Sequence, residues 1–232
     1  MIEQRIARLR AFLQEHDADG VIIVQPENLR YFSAFTGGKG ALVIGLDQAV
    51  LWTDSRYTEQ AANQSGAWYD IKNHHNALSA SIRSSLNDME IGVAAYEENF
   101  LTHFMYENIS DGALCGFLPC DLTSLRAVKE PYELKATRKA SNIADRAFAD
   151  LLPYIKPGVT EKELAARLES NMLLLGSEEK SFTTIVASGK RSAMPHGTAS
   201  PKVVEAGGFV TFDFGAVWEG YHSDITRTVV VG

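Results

Sequence analysis

The sequence is poor in cysteine, short of positive charge and without a long apolar run. Its two cysteines, Cys115 and Cys120, are too few for a disulfide scaffold and lack the spacing of a metal ribbon. Reduced thiols in a cytoplasmic protein are the expectation. Lys plus Arg total 22 against 29 for Asp plus Glu, a net charge of -7. That balance gives no electrostatic footprint for nucleic acid and none for an anionic membrane surface. No apolar stretch reaches the ~18–20 residues that cross a bilayer. The opening MIEQRIARLRAFLQEHD is amphipathic and charged, unlike the apolar segment of a secretion signal. Internal repeats and low-complexity segments are also missing. What remains is ordinary globular composition, 45% hydrophobic and 22% charged, in 232 residues. At ~100–200 residues per domain, that is one large or two modest domains.

The first half alternates helical and strand signals, which predicts an α/β domain ending near residue 122. Ile2, Ile6, Leu9, Phe12 and Leu13 fall at helical spacing. Gly20 leads into a short buried strand at 21–24, and two more strands are expected at 41–45 and 49–52. Helices are predicted over 55–64, capped by Asp54 or Ser55, and over 76–86, with a strand at 91–94. Residues 123–130 form a connector. Beyond it, Pro131 opens a long helix to about Tyr154, and Thr160 with Glu163 makes a capping box for a second helix to about Leu175. Strands are expected at 183–187, 209–217 and 223–231. This second, α+β region runs to residue 232.

The segment 209–230 carries the chemistry. It predicts two strands joined near Trp218-Glu219-Gly220. With the turn centred between Trp218 and Glu219, Asp213 and Asp224 lie directly opposite on one face. Opposed side chains sit ~4.5–5.5 Å apart at Cβ. Flanking Phe212, Phe214, Ile225 and Val229 predict dry surroundings. Two like charges this close need a shared proton, a cation from Arg227, or a divalent metal. Arg227 has the wrong strand parity, and the metal is the favoured outcome, with Thr226 and Thr228 supplying hydroxyls beside it. Two carboxylates alone are a poor metal site, and the histidines add little. His74, His75 and His103 read as structural or solvent-facing. His16 suits a helix C-terminus, and His222 stands beside the pair at best. His196 is flanked by Pro195 and Gly197, which can hold an imidazole at a cleft to donate to a developing anion. On spacing alone an exposed turn histidine is the commoner outcome.

Several motifs together resemble the Xaa-Pro peptidases, aminopeptidase P and prolidase. They are Lys129-Glu-Pro-Tyr-Glu-Leu134, Ser181-Phe-Thr-Thr-Ile-Val-Ala-Ser-Gly189, Pro195-His-Gly197, and Phe212-Asp-Phe-Gly215 through Tyr221-His-Ser-Asp-Ile-Thr-Arg-Thr228. Asn28-Leu-Arg-Tyr31 and Thr53-Asp-Ser-Arg-Tyr57 resemble the creatinase-like N-terminal domain of the same proteins. The resemblance implies an α/β creatinase-like domain over 1–122, a linker over 123–130 and the first half of an α+β pita-bread catalytic domain over 131–232. It implies that Asp213 and Asp224 ligate two divalent metal ions, manganese first and cobalt or zinc as alternatives, with Asp224 bridging them. A hydroxide between the metals would attack the carbonyl before proline, and His196 would contact substrate. Proline-containing peptides are the implied partners, and a homodimer the implied assembly.

The family has Gly-Asp where this sequence reads Gly207-Gly-Phe-Val, a difference confined to a turn. It draws one further His and two Glu ligands from a second half of the domain, which these 232 residues do not include. On this reading the chain is a fragment of a longer enzyme. Alone it is expected to bind metal weakly, hydrolyse nothing, and expose apolar surface and an open strand edge. The alternatives are a creatinase-like amidinohydrolase, which needs no metal pair, and a non-catalytic protein that binds or dimerises through its first domain.

Overall fold

The computed structural model describes every residue except Asn76. The chain divides into two compact units, Met1–Val128 and Lys129–Gly232. In the first, α1 (Ile2–Glu15), β1 (Gly20–Ile23), α2 (Pro26–Ser33), β2 (Ala41–Gly45), β3 (Ala49–Thr53), α3 (Thr58–Ser65), β4 (Asp70–Asn73), α4 (Leu78–Asp88), β5 (Val93–Glu97), α5 (His103–Ser110) and β6 (Gly116–Cys120) follow in order. Their strands form one six-stranded sheet in the order β4-β3-β2-β1-β5-β6. β1 pairs antiparallel with β2 and parallel with β5. Every residue of β1 and β2 is buried, because apolar side chains cover both faces of the sheet. Glu97, itself buried, accepts the backbone N–H groups of Val24 and Gln25 and so fixes the chain entering α2.

Several boundaries differ from expectation. α3 starts at Thr58, not Ser55: Asp54 instead accepts the Arg56 N–H and pairs with the Arg56 guanidinium in a turn ahead of the helix. That contact holds the Asp54 carboxyl down at about 2. The helix expected over 76–86 runs from Leu78 to Asp88, and Asn76 lies outside the described residues. The strand expected at 91–94 is Val93–Glu97. α2, β4 and β6 were not anticipated. β4 is a polar edge strand, and β6, also at an edge, contains Pro119.

The second unit contains α6 (Pro131–Leu151), α7 (Glu161–Leu174), β7 (Ile185–Ser188), β8 (Phe209–Phe214), β9 (Val217–Trp218), β10 (Tyr221–His222) and β11 (Ile225–Val230). Pro131 stands at the first turn of α6, and Glu133 accepts the Glu130 N–H. The Thr160 capping box is present as expected: Thr160 Oγ1 accepts from the Glu163 N–H, and Glu163 accepts from the Thr160 N–H. A three-stranded sheet in the order β11-β8-β7 packs one face on these helices. Val210, Phe212 and Phe214 point to that core, and Phe148 of α6 meets both phenylalanine rings. The other face holds the alternate residues of β8 and β11. At its far end Phe209 and Val230, paired across the strands, are exposed.

Candidate metal centre

The hairpin joining β8 to β11 turns at Glu219 and Gly220, with φ values of 50° and 69°. Two positive values in succession make the tight turn that matches strand twist. The turn is therefore centred one residue later than the sequence suggests. Trp218 pairs with Tyr221, and in β8–β11 Thr226 pairs with Asp213. Asp213 and Asp224 are thus not directly opposite. They are diagonal neighbours, offset by two positions. Because side chains alternate with period two, that offset leaves both carboxylates on the same face.

The pair remains in contact. Asp213 is both a charged and a hydrogen-bonding neighbour of Asp224. Partial desolvation and that neighbouring charge hold the Asp224 carboxyl above its ordinary range. The Thr226 hydroxyl donates to Asp213 Oδ1 at 2.9 Å, and Thr228 bonds Thr211 at 3.0 Å on the same face. The expected dry surroundings are not found. Asp224 is exposed and Asp213 half-buried, because the flanking phenylalanines point to the helix side. Gly215, after Asp213, meets the Ser223 carbonyl so closely that a Cβ would lie 1.8 Å from it. The Ser223 hydroxyl accepts the Ala216 N–H at 3.0 Å, fixing the backbone that carries Asp224.

Among the described residues no cation pairs with the two carboxylates. Arg227 extends to the opposite face, as its parity predicts, and pairs with Asp145 of α6 at 2.8 Å. A carboxylate pair flanked by hydroxyls suits a hard divalent ion. It is a partial donor set: no group of three or more His, Cys, Asp or Glu able to hold a metal occurs among the described residues.

His196 lies in an exposed turn in which the Gly197 N–H donates to the Met194 carbonyl. No hydrogen bond or ion pair links it to either carboxylate among the described residues. Thr198, two residues on, bridges Ile185, whose other neighbour is Asp213. Thr198, Ile185, Asp213 and Thr226 form one row across the sheet. At about 4.8 Å per strand, the His196 loop joins that row roughly 10 Å from Asp213.

The remaining histidines stand apart. His222 Nδ1 meets Ser181 Oγ at 3.0 Å. His16 ends α1, bonded to the Phe12 carbonyl. His103 faces Glu107 at 3.6 Å, and His75 is exposed, while His74 is half-buried. Burial pushes the Cys120 thiol up to about 12 and raises Cys115, away from the thiolate form.

Sequence reasoning missed Glu161. It reads as one acid in a helix-capping run, yet it is fully buried and anchors the loop that carries His196. Burial raises its carboxyl, but hydrogen bonds from Ser200 and Ser188 outweigh that and hold it below the ordinary range.

The chain matches the creatinase/prolidase N-terminal domain over residues 5–128 and metallopeptidase family M24 over residues 135–232. It belongs to the Xaa-Pro peptidase family. The Xaa-Pro dipeptidase of Pyrococcus furiosus is 34% identical over 100% of this chain and 66% of its own length. Among solved structures, an Xaa-Pro dipeptidase from Bacillus anthracis superposes with a TM-score of 0.96 at 39% identity, covering 100% of this chain and 66% of that one. An X-Pro aminopeptidase from Thermotoga maritima gives 0.86 at 37% identity, covering 93% and 63%. The chain spans 65% and 66% of the length of two curated relatives it matches. Its fold is a creatinase-like α/β N-terminal domain followed by part of an α+β pita-bread catalytic domain.

Proposed function

We propose metal-dependent hydrolysis of the Xaa-Pro peptide bond, with Asp213 and Asp224 as ligands to a pair of divalent ions. The observation that carries this reading is the uncompensated carboxylate pair on the open face of the β8–β11 hairpin. A divalent ion bound there supplies Lewis-acid polarisation of the scissile carbonyl and lowers the pKa of water. Asp213 is oriented for ligation by the Thr226 hydroxyl, which donates to its Oδ1. His196 donates to the oxyanion that develops on the attacked carbonyl. The carboxylate pair favours a peptidase over an amidinohydrolase, which has no use for it. Relatives of both aminopeptidase and dipeptidase type match, so the reading names the bond and not the peptide length. Manganese is the proposed ion, with cobalt or zinc as substitutes, since carboxylate sites select weakly among them. The unpaired thiols support a cytoplasmic setting, and a homodimer is proposed with it.

The test is a Mn2+ titration of the chain, followed by assay of proline release from Xaa-Pro dipeptides. Weak saturable binding is expected, lost in Asp213→Asn and Asp224→Asn, with no hydrolysis by these 232 residues. Binding that survives both substitutions would refute the metal reading. Mn2+-dependent cleavage by the chain itself would refute the partial donor set.

A further inference from the structure

Glu161, the first residue of α7, is 0% exposed. Its carboxylate reaches both ends of the loop between β7 and β8. At the near end it accepts the Ser188 N–H at 2.8 Å and the Ser188 hydroxyl at 2.9 Å. At the far end it accepts the Ser200 N–H at 3.0 Å and the Ser200 hydroxyl at 2.6 Å. Arg191 completes the cluster. It pairs with Glu161 and also donates to Ser200 Oγ at 3.1 Å and the Thr198 carbonyl at 2.9 Å. A buried carboxylate is costly unless every lone pair is satisfied, and here it is satisfied almost wholly by this loop. The helix start does not need it, because Thr160 and Glu163 already cap α7.

His196 lies inside the clamped span. We infer that Glu161 is a positioning residue: by drawing Ser188, Arg191 and Ser200 to one point, it fixes where His196 stands relative to Asp213 and Asp224. The inference rests on the reading of those three residues given above. Glu161 does not touch substrate or metal. It acts through the loop.

The experiment compares the full chain with Glu161→Gln by amide hydrogen exchange and by NMR of the histidine rings, with His196→Ala to assign the signal. Glutamine keeps the shape but removes the charge that five donor groups share, so exchange at Ser188 and Ser200 should speed up by about tenfold or more. The His196 ring signals should shift and broaden while the amides of β8 and β11 stay unmoved. Unchanged loop exchange or unchanged His196 signals in a folded Glu161→Gln protein would overturn the inference. If that variant does not fold, Ser200→Ala releases the far end alone and should show the same changes at smaller amplitude. Mn2+ broadening of the Asp213 and Asp224 amides in the unsubstituted chain is read separately. Its absence would count against the metal reading and leave the clamp to stand or fall on the exchange data.

Discussion

Asp224 is held against another carboxylate, with no cation beside it among the described residues, and it faces solvent. Removing its charge should therefore stabilise the metal-free chain rather than weaken it. Asp224→Asn is expected to raise the melting temperature slightly, by the few tenths of a kcal/mol typical of a solvent-screened pair. In the presence of excess Mn2+ the order should invert, because only the unsubstituted protein gains from ligand binding. Two thermal scans with and without Mn2+ decide it. Gly215 is the opposite kind of residue, chemically silent and sterically indispensable. Gly215→Ala forces its Cβ into the Ser223 carbonyl, so the strands must separate beside Asp224. Loss of Mn2+ binding with both aspartates intact is the expected result, measurable by the same titration.

At the scale of elements, α7 is set by chemistry visible in its letters. Thr160 and Glu163 bond reciprocally, and Thr160→Ala should cost about 1 kcal/mol by denaturant unfolding. The acids at this helix start also set its response to pH. Glu161 is held below its ordinary range chiefly through Ser200 and Ser188 against burial, and Glu163 through Thr160. Their contribution is complete above the usual carboxylate range and is lost as pH falls through the depressed folded values. Protection of the 188–200 loop should persist through mild acid and disappear only below it, and in Glu161→Gln the Glu161 part of that transition should be gone. Exchange measured against pH reads this directly. The contrast with the hairpin shows what a sequence can and cannot disclose. Strand alternation put Asp213 and Asp224 on one face and Arg227 on the other, because parity depends only on counting. The turn centre was misplaced by one residue because Glu219, not glycine, takes the first positive φ. α2 and β4 escaped because eight- and four-residue elements carry too little periodicity; Glu97 on Val24 and Gln25 fixes the entry to α2, and pairing with β3 defines β4. Glu161 escaped because nothing local distinguishes a buried acid from a solvated one.

At the scale of the whole molecule, each unit owns its apolar clusters. Phe212 is fully buried in the second, against Phe148. Phe212→Ala should cost about 3–5 kcal/mol there, read by denaturant unfolding of the second unit. Among the described residues no helix is long and apolar enough to cross a membrane, and the net charge of -7 gives no reason for the chain to seek polyanions.

The tight turn at Glu219 and Gly220 also fixes an order of events in time. Asp213 and its partner Thr226 are 13 positions apart and meet when one hairpin closes, a process of microseconds. The clamp on the His196 loop joins Glu161 to Ser188 and Ser200 across 27 and 39 positions, and must wait for slower, longer-range closure. The hairpin contact is therefore expected to form before the clamp, so pulse-labelled exchange during refolding should protect the β8–β11 amides ahead of Ser188 and Ser200.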